Sequence, residues 1–131
     1  MRIFKTELIR TQLDAAELDQ LAEDFRRYKG TEVPADTFGR DAPYDHPHTL
    51  SSVRQAELRH LHLNGGTNPW PPLQAQYYRT SDDHLVYCEG FYSNRHFLLI
   101  ALLSPDAHDQ ACDNSVMLRL AQMAERFRGK F

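Results

Sequence analysis

The chain has 131 residues, enough for a hydrophobic core, and we expect residues 1–131 to form one domain. Its formal net charge of −3 argues against a free-standing nucleic-acid-binding domain, since such domains are usually strongly basic. No apolar run is long enough to cross a bilayer, and two cysteines are too few for a disulfide framework. These features predict a cytoplasmic protein with reduced thiols and no membrane partner.

The first half of the chain predicts a strand, a helix and a long connector. Alternating residues over 1–9 indicate a short strand. Asp14 and Glu17 have the spacing of a capping box, and the helical spacing of the apolar residues that follow predicts an amphipathic helix. Gly30 is expected to end this helix. Prolines and glycines between 31 and 48 predict a connector.

The second half predicts four strands and a final helix. The strands are expected at residues 56–63, 75–80, 84–91 and 95–103. A helix that ends at Gly65 is the alternative for the first of them, and the second and third are expected to form a hairpin. Asp113 precedes a helical apolar stripe. The order strand, helix, connector, strands, helix predicts an α+β fold, with helices packed on a small, mostly antiparallel sheet.

Several segments together resemble one family of bacterial proteins. They are MRIFKTELIR, FGRDAPYD, RHLHL, NPWPP, YYRTSDDHLVYC and DNSVMLRLAQMAERFRGKF, which follow one another over almost the entire chain. On these segments the chain resembles the YafO family of type II toxin–antitoxin toxins, and more distantly the RelE-like toxins, whose element order is similar. The resemblance implies a ribosome-dependent mRNA endoribonuclease that inhibits translation. It also implies mRNA, the ribosome and a cognate antitoxin protein as partners, and no cofactor.

Metal-independent cleavage of RNA uses the substrate's own 2′-hydroxyl as the nucleophile. The reaction needs a base for the hydroxyl proton, a cation for the phosphoryl oxygens and an acid for the leaving oxygen. Imidazoles suit both proton transfers near neutral pH, and a guanidinium group matches a phosphate. The catalytic residues are therefore expected among Arg79, His108, His84, His62 and His60, without a metal.

Each of the first three candidates also has a structural interpretation. Arg79 is the first choice for the cation, and its alternative is a surface ion pair with Asp82 or Asp83. His108 follows the apolar strand, close to where the RelE-like toxins carry a catalytic group. His84 begins a strand and is expected to share a face with Arg79 across the hairpin, at a position where those toxins often have arginine. Solvent-exposed positions are the alternatives for both histidines.

His60 and His62 are two residues apart, so on a strand they point to the same side. We interpret them as a base and a phosphate ligand. One alternative is a metal pair, for which His84, His108 or Asp82 would supply the third ligand. The other alternative is a sheet face that lies in solvent or under a loop.

Further side chains are candidates for RNA contact. Tyr78 and Tyr87 have rings on which bases could stack, and Arg119 and Arg126 make the last helix basic. Core positions for the tyrosines and a solvated helix face for the arginines are the alternatives. Two other function classes remain open: a non-catalytic translation inhibitor that binds the ribosome or another protein, and a histidine-dependent metal hydrolase.

Overall fold

The computed structural model describes residues 1–65 and 68–131, and its strands form one five-stranded sheet. In chain order the elements are β1 (Arg2–Lys5), α1 (Glu7–Gln12), α2 (Ala15–Thr31), β2 (Phe38–Pro43), α3 (Ser51–Gln55), β3 (Arg59–Leu63), a 3₁₀ turn (Gln76–Tyr78), β4 (His84–Glu89), β5 (His96–Leu103), α4 (Ala107–Ala111) and α5 (Asn114–Arg128). The strand order is β1-β5-β4-β3-β2, in which β1 is parallel to β5 and the other neighbours are antiparallel. The predicted α+β class and mostly antiparallel sheet are confirmed.

Helices cover both faces of the sheet, because successive side chains of each strand point to opposite sides. Along β4, Leu85 and Tyr87 pack with Phe25 of α2, while Val86 packs on the opposite face with Leu120 of α5. All five of these side chains are buried. Among the described residues, no helix combines the length and apolar character needed to cross a membrane.

The two long helices begin where the sequence predicts. The carboxylate of Asp14 accepts a hydrogen bond from the backbone N–H of Glu17, whose side chain in turn accepts one from the N–H of Asp14. α2 continues one residue past Gly30 and is followed by Glu32 in a left-handed conformation. Asp113 caps α5 by accepting hydrogen bonds from the first turn. Both helix starts follow from local hydrogen bonds, which is why the sequence reveals them.

Two predictions for the first half are wrong. The strand expected over 1–9 ends at Lys5, since Thr6 caps α1 by accepting a hydrogen bond from the N–H of Ile9. The expected connector contains β2, an edge strand that is irregular along its pairing with β3 and ends at Pro43. An edge strand tolerates a bulge and a proline, because one side of it makes no ladder hydrogen bonds.

The predicted strand at 75–80 is also wrong. Residues 68–80, which we call the strap, run against β2 and contain the 3₁₀ turn instead. The carbonyl oxygen of Arg79 accepts a hydrogen bond from the backbone N–H of Arg40 at 2.8 Å. β4 lies between β3 and β5, so it does not pair with the strap as the expected hairpin requires.

Candidate active site

Three histidines meet at the end of the sheet where β4 begins. His62 on β3 is paired directly with His84 on β4, and His60 lies two residues before His62. Ring centroids are separated by 4.1 Å for His62 and His84, 5.0 Å for His60 and His84, and 5.4 Å for His60 and His62. His60 and His62 thus share a face, as their spacing predicts, and His84 joins them across β3 and β4. We call these three residues the histidine cluster.

The backbone of Ser81 holds two rings of the histidine cluster. Its N–H donates to Nδ1 of His62 at 2.8 Å, and its carbonyl oxygen lies 3.0 Å from Nε2 of His84. Because a carbonyl oxygen can only accept, Nε2 of His84 carries the proton, and its Nδ1 carries a lone pair when the ring is neutral. The opposite tautomer holds for His62, whose Nδ1 accepts and whose Nε2 carries the proton.

Burial keeps the histidine cluster uncharged at neutral pH. His62 and His84 are 7% and 6% exposed. Burial, reinforced by the neighbouring imidazoles, lowers the pKa of His60 to about 3 and that of His62 to about 4. The pKa of His84 is also lowered, mainly by burial. Nδ1 of His60 and Nδ1 of His84 are buried without a hydrogen-bond partner, which is uncommon for buried polar atoms.

The histidine cluster has one side under a loop and another beside a groove. The ring of Tyr44 stacks on His60 with centroids 4.3 Å apart. His84 lines a groove of about 430 Å³ together with Asp83, Ser104 and apolar side chains such as Phe38. The groove gives a solvent-filled approach to the end of the sheet that carries the histidine cluster.

His108 lies next to the histidine cluster on the short helix α4, in a segment for which the sequence predicts a loop. Its backbone N–H donates to the carboxylate of Asp82 at 2.9 Å, and the N–H of Ala107 donates to the Asp82 carbonyl at 3.0 Å. His108 is exposed, and its charge contributes to the lowered pKa of His84. The turn at Ser81 and Asp82 therefore connects His108 with the histidine cluster.

Arg40 is a functional candidate that the sequence analysis missed. It lies on β2, and its positive charge contributes to the lowered pKa of His62. Its guanidinium group donates to the carbonyl oxygen of Tyr77 at 2.6 Å and lies 4.1 Å from the centre of the Tyr77 ring, which is 63% exposed. Recognition of β2 as a strand would have revealed Arg40, because the pairing of β2 with β3 brings it near His62.

Arg79 makes its side-chain contacts within the strap. Its guanidinium group donates to the carbonyl oxygens of Gln74, Pro72 and Pro71 at 3.0, 3.2 and 3.4 Å, and lies 6.0 Å from the centre of the Trp70 ring. These contacts hold the strap together. The structure thus brings the histidine cluster, His108 and Arg40 to one region and directs the Arg79 side chain into the strap.

The candidate RNA-contact residues differ widely in exposure. Tyr87 is fully buried, and its hydroxyl donates to Asp41 at 2.6 Å, so no base can reach its ring. Tyr78 is 65% exposed, and Arg119 and Arg126 lie on the exposed side of α5. These last three side chains are free to meet an RNA strand, and their contact with it stays a prediction.

A second polar group lies on the opposite face of the sheet. The carboxylate of Asp41 contacts the ammonium of Lys29 at 2.9 Å and the guanidinium of Arg59 at 3.3 Å. It also accepts hydrogen bonds from the hydroxyls of Tyr28 at 2.8 Å and Tyr87 at 2.6 Å. We call these five residues the Asp41 network. Both cations of the network contact its single carboxylate, and we interpret the group as structural.

Only one group of at least three histidine, cysteine or acidic side chains in the described ranges has metal-binding geometry. It is the histidine cluster, in which one ring nitrogen from each residue lies within 4.8 Å of the others.

Comparison with known proteins agrees with the resemblance seen in the sequence. Residues 26–129 match the family model for Toxin YafO, type II toxin-antitoxin system. The chain is 48% identical over 132 residues to the mRNA interferase toxin YafO of Escherichia coli (strain K12), with 100% of both chains covered. No solved structure gives a significant match.

Proposed function

Because this chain belongs to the YafO family of type II toxins, we propose that it is an mRNA interferase that cuts mRNA on the ribosome and so inhibits translation. The name of its Escherichia coli relative supports the activity. Membership of a type II toxin–antitoxin family implies an antitoxin protein that binds it. The net charge of −3 supports ribosome dependence, since the chain lacks the excess positive charge that drives binding to free RNA.

The proposed reaction is attack of a 2′-hydroxyl on the adjacent phosphorus, without a metal ion. A base removes the hydroxyl proton as the new P–O bond forms. The bond from phosphorus to the 5′-oxygen then breaks, an acid protonates that oxygen, and the other fragment keeps a 2′,3′-cyclic phosphate. DNA lacks the nucleophile, so the reaction selects RNA.

His108 is the proposed proton-transfer residue, because it combines an exposed imidazole with a backbone held by Asp82. The observation that carries the proposal is its position beside the histidine cluster, since Asp82 holds the backbone of His108 and the adjacent Ser81 holds the ring of His84. A neutral His62 has little tendency to give up a proton at neutral pH, but its Nε2–H can donate to developing negative charge. We propose this supporting role for His62. The single N–H of neutral His84 already donates to the Ser81 carbonyl, so we propose a positioning role for His84 and His60.

Arg40 and Arg79 are the two candidates for the cation that contacts the scissile phosphate. Arg40 has the better support, because its charge acts on His62 and an exposed tyrosine ring lies beside it. Arg79 has three carbonyl partners in the strap, which supports a positioning role. A cation that contacts phosphate should affect cleavage more than folding, and one that holds the strap should affect both.

Mapping of cut sites in a translating extract tests the proposal. We expect fragments from the wild type, and a loss of about 100-fold or more in cleavage rate for His108→Ala with an unchanged melting temperature. His48→Ala is the matched control, since His48 is also exposed but lies in the connector. Inhibition of translation with intact transcripts would overturn the nuclease and favour inhibition by occupancy. Full activity of His108→Ala would overturn its assigned role.

The same extract separates the two arginines. We expect Arg40→Ala to reduce cleavage with a smaller loss of melting temperature than Arg79→Ala, since the Arg40 side chain has one carbonyl partner in the strap and Arg79 has three. Arg79→Ala should lower the melting temperature and expose the strap to protease. The reverse pattern would show that Arg79, and not Arg40, contacts the phosphate.

A further inference from the structure

We propose that His60, His62 and His84 form a binding site for one divalent transition-metal ion, for which Zn²⁺ is the test ion. Imidazole nitrogens suit Zn²⁺ and its neighbours in the first transition series. Three histidine ligands with an open fourth position are an established coordination pattern for zinc in proteins. The proposal concerns metal binding by the histidine cluster and does not depend on the proposed cleavage chemistry.

The backbone already holds the three rings close to coordination distance. They come from two strands that are paired at His62 and His84, so their separation is fixed by the sheet. The three ring nitrogens lie within 4.8 Å of one another. Zn–N bonds of about 2.0–2.1 Å in a tetrahedral site place nitrogens roughly 3.3 Å apart, a spacing that side-chain rotations of these rings can reach.

Two nitrogens of the histidine cluster are buried without a hydrogen-bond partner. Nε2 of His84 donates to the carbonyl oxygen of Ser81, which leaves the buried Nδ1 as an acceptor without a partner. A backbone carbonyl that holds the second ring nitrogen is the usual support of a metal-binding histidine. Nδ1 of His60 is likewise buried without a partner. A metal ion would satisfy both atoms at once.

His62 requires one rearrangement, which gives the proposal a specific signature. Its Nδ1 accepts the backbone N–H of Ser81 at 2.8 Å. Coordination through Nδ1 displaces that N–H directly. Coordination through Nε2 moves the ring proton to Nδ1, which then faces the N–H as a second donor. In either case the Ser81 N–H loses its partner, so metal binding must change the turn that also holds α4 through Asp82.

Metal titration of the full chain, after treatment with a chelator and its removal, tests the site. We expect one Zn²⁺ per chain by calorimetry, and visible absorption bands of a low-coordinate site when Co²⁺ is added. His62→Gln and His84→Gln should each weaken binding by about 100-fold or more, a loss at least as large as that from removing a residue that supports a ligand. Glutamine keeps a polar side chain at these positions, and circular dichroism checks that each variant is folded.

Two further measurements distinguish a loss of metal binding from a loss of folding. In the folded wild type, Zn²⁺ should shift the amide resonance of Ser81, and the signal of a distant amide such as Gly30 should not move. His48→Ala removes one ring of the exposed pair His46 and His48, whose centroids are 5.1 Å apart, and should bind as the wild type does. Absence of Zn²⁺ and Co²⁺ binding to the wild type would overturn the proposal. Loss of binding in His48→Ala alone would also overturn it.

Discussion

At the scale of single residues, Asp41 is the side chain on which most buried polar contacts converge. Its carboxylate is 7% exposed, while Lys29 and Arg59 are 20% and 37% exposed. Asp41→Ala removes the carboxylate that pairs with both cations and accepts from two tyrosine hydroxyls. We expect it to lower the free energy of unfolding in urea by about 3 kcal/mol, the low end of the range for a broken buried pair, because Arg59 can still reach solvent.

Tyr87→Phe is the matched control within the Asp41 network. It removes a hydroxyl that donates to Asp41 and accepts from Lys29 and Arg59, but it leaves both cations paired with the carboxylate. The expected loss is about 2 kcal/mol, below that of Asp41→Ala, because three hydrogen bonds are lost but no buried charge loses its ionic partner. A loss as large as that of Asp41→Ala would mean that packing around the ring, and not the paired charge, dominates this site.

The same carboxylate makes stability depend on pH. Burial alone raises the pKa of Asp41, but the charge of Lys29 from α2 and hydrogen bonds from Tyr87 on β4 and Tyr28 on α2 outweigh it, with Arg59 facing from β3, so the folded pKa is lowered. As the pH falls, the carboxyl group of Asp41 therefore takes up its proton at a higher pH in the unfolded chain than in the folded one. The stabilisation is complete above the ordinary pKa of 3.8 and is lost as the pH falls through the lower folded pKa.

Urea denaturation of the wild type and Asp41→Asn at several pH values measures this contribution. Asparagine cannot ionise, so the stability advantage of the wild type should shrink as the pH falls from about 6 towards about 3. An advantage that stays constant over this range would show that the carboxylate does not ionise differently in the folded and unfolded states.

The sequence predicts part of the candidate site at the scale of single residues. The spacing of His60 and His62 predicts their shared face, because it depends only on strand geometry. Their contact with His84 depends on which strands become neighbours, and the tautomers depend on the backbone of Ser81. Pairing of β3 with β4 crosses a connection of about twenty residues, which no local pattern specifies.

At the scale of elements, the contact between β2 and the strap depends on one glycine. A Cβ atom on Gly39 would lie 2.2 Å from the carbonyl oxygen of Arg79 and 2.9 Å from the Trp70 ring. The side chain of Gln76 also donates to the Gly39 carbonyl at 2.9 Å. We expect Gly39→Ala to lower the free energy of unfolding by about 1–3 kcal/mol, the range for overpacked sites, and to open the strap to limited proteolysis.

Gly30→Ala provides the comparison for that prediction. Gly30 lies in α2, and a Cβ there would meet nothing within 4 Å. Alanine is favoured over glycine in a helix, so this variant should gain up to about 0.5 kcal/mol near the helix end, with proteolysis of the strap unchanged. Equal effects of the two substitutions would contradict a steric role for Gly39.

The elements that sequence predicts correctly are those with local signals. Asp14 and Asp113 mark the starts of α2 and α5 through hydrogen bonds to nearby residues. β2 was missed because Gly39 and Pro43 are typical of loops, and here they serve a close approach and a strand end. Residues 75–80 were interpreted as a strand with Tyr77 and Arg79 on one face and Tyr78 and Thr80 on the other, although both tyrosine rings are exposed.

At the scale of the whole molecule, the two faces of the sheet carry different polar groups. The Asp41 network lies under α2, and the histidine cluster and His108 lie at the end of the sheet on the other side. Asp41 and Arg59 nevertheless act on the pKa of His60 through their charges, so a double variant is needed to measure how far the two groups are coupled.

Net charge governs how this molecule can reach RNA. With 15 basic and 18 acidic side chains, it cannot gain the large counterion-release free energy that drives tight binding to free RNA. On a ribosome the mRNA is already held in place, and the ribosome surface can bind the protein. Binding to free RNA is then not needed for cleavage. We expect cleavage of a translated message to exceed cleavage of the same free RNA by at least about 100-fold, since positioning can supply far more.

Two forms of one transcript, with and without a start codon, are incubated in the same extract to measure this difference. Both forms contain the same phosphodiester bonds, so intrinsic reactivity and extract nucleases affect them equally. Cut sites should be confined to the translated region and should disappear when initiation is blocked. If both forms were cut at equal rates, the acidic surface would not limit access to RNA, and a local basic patch such as Arg119 and Arg126 would have to bind the strand directly.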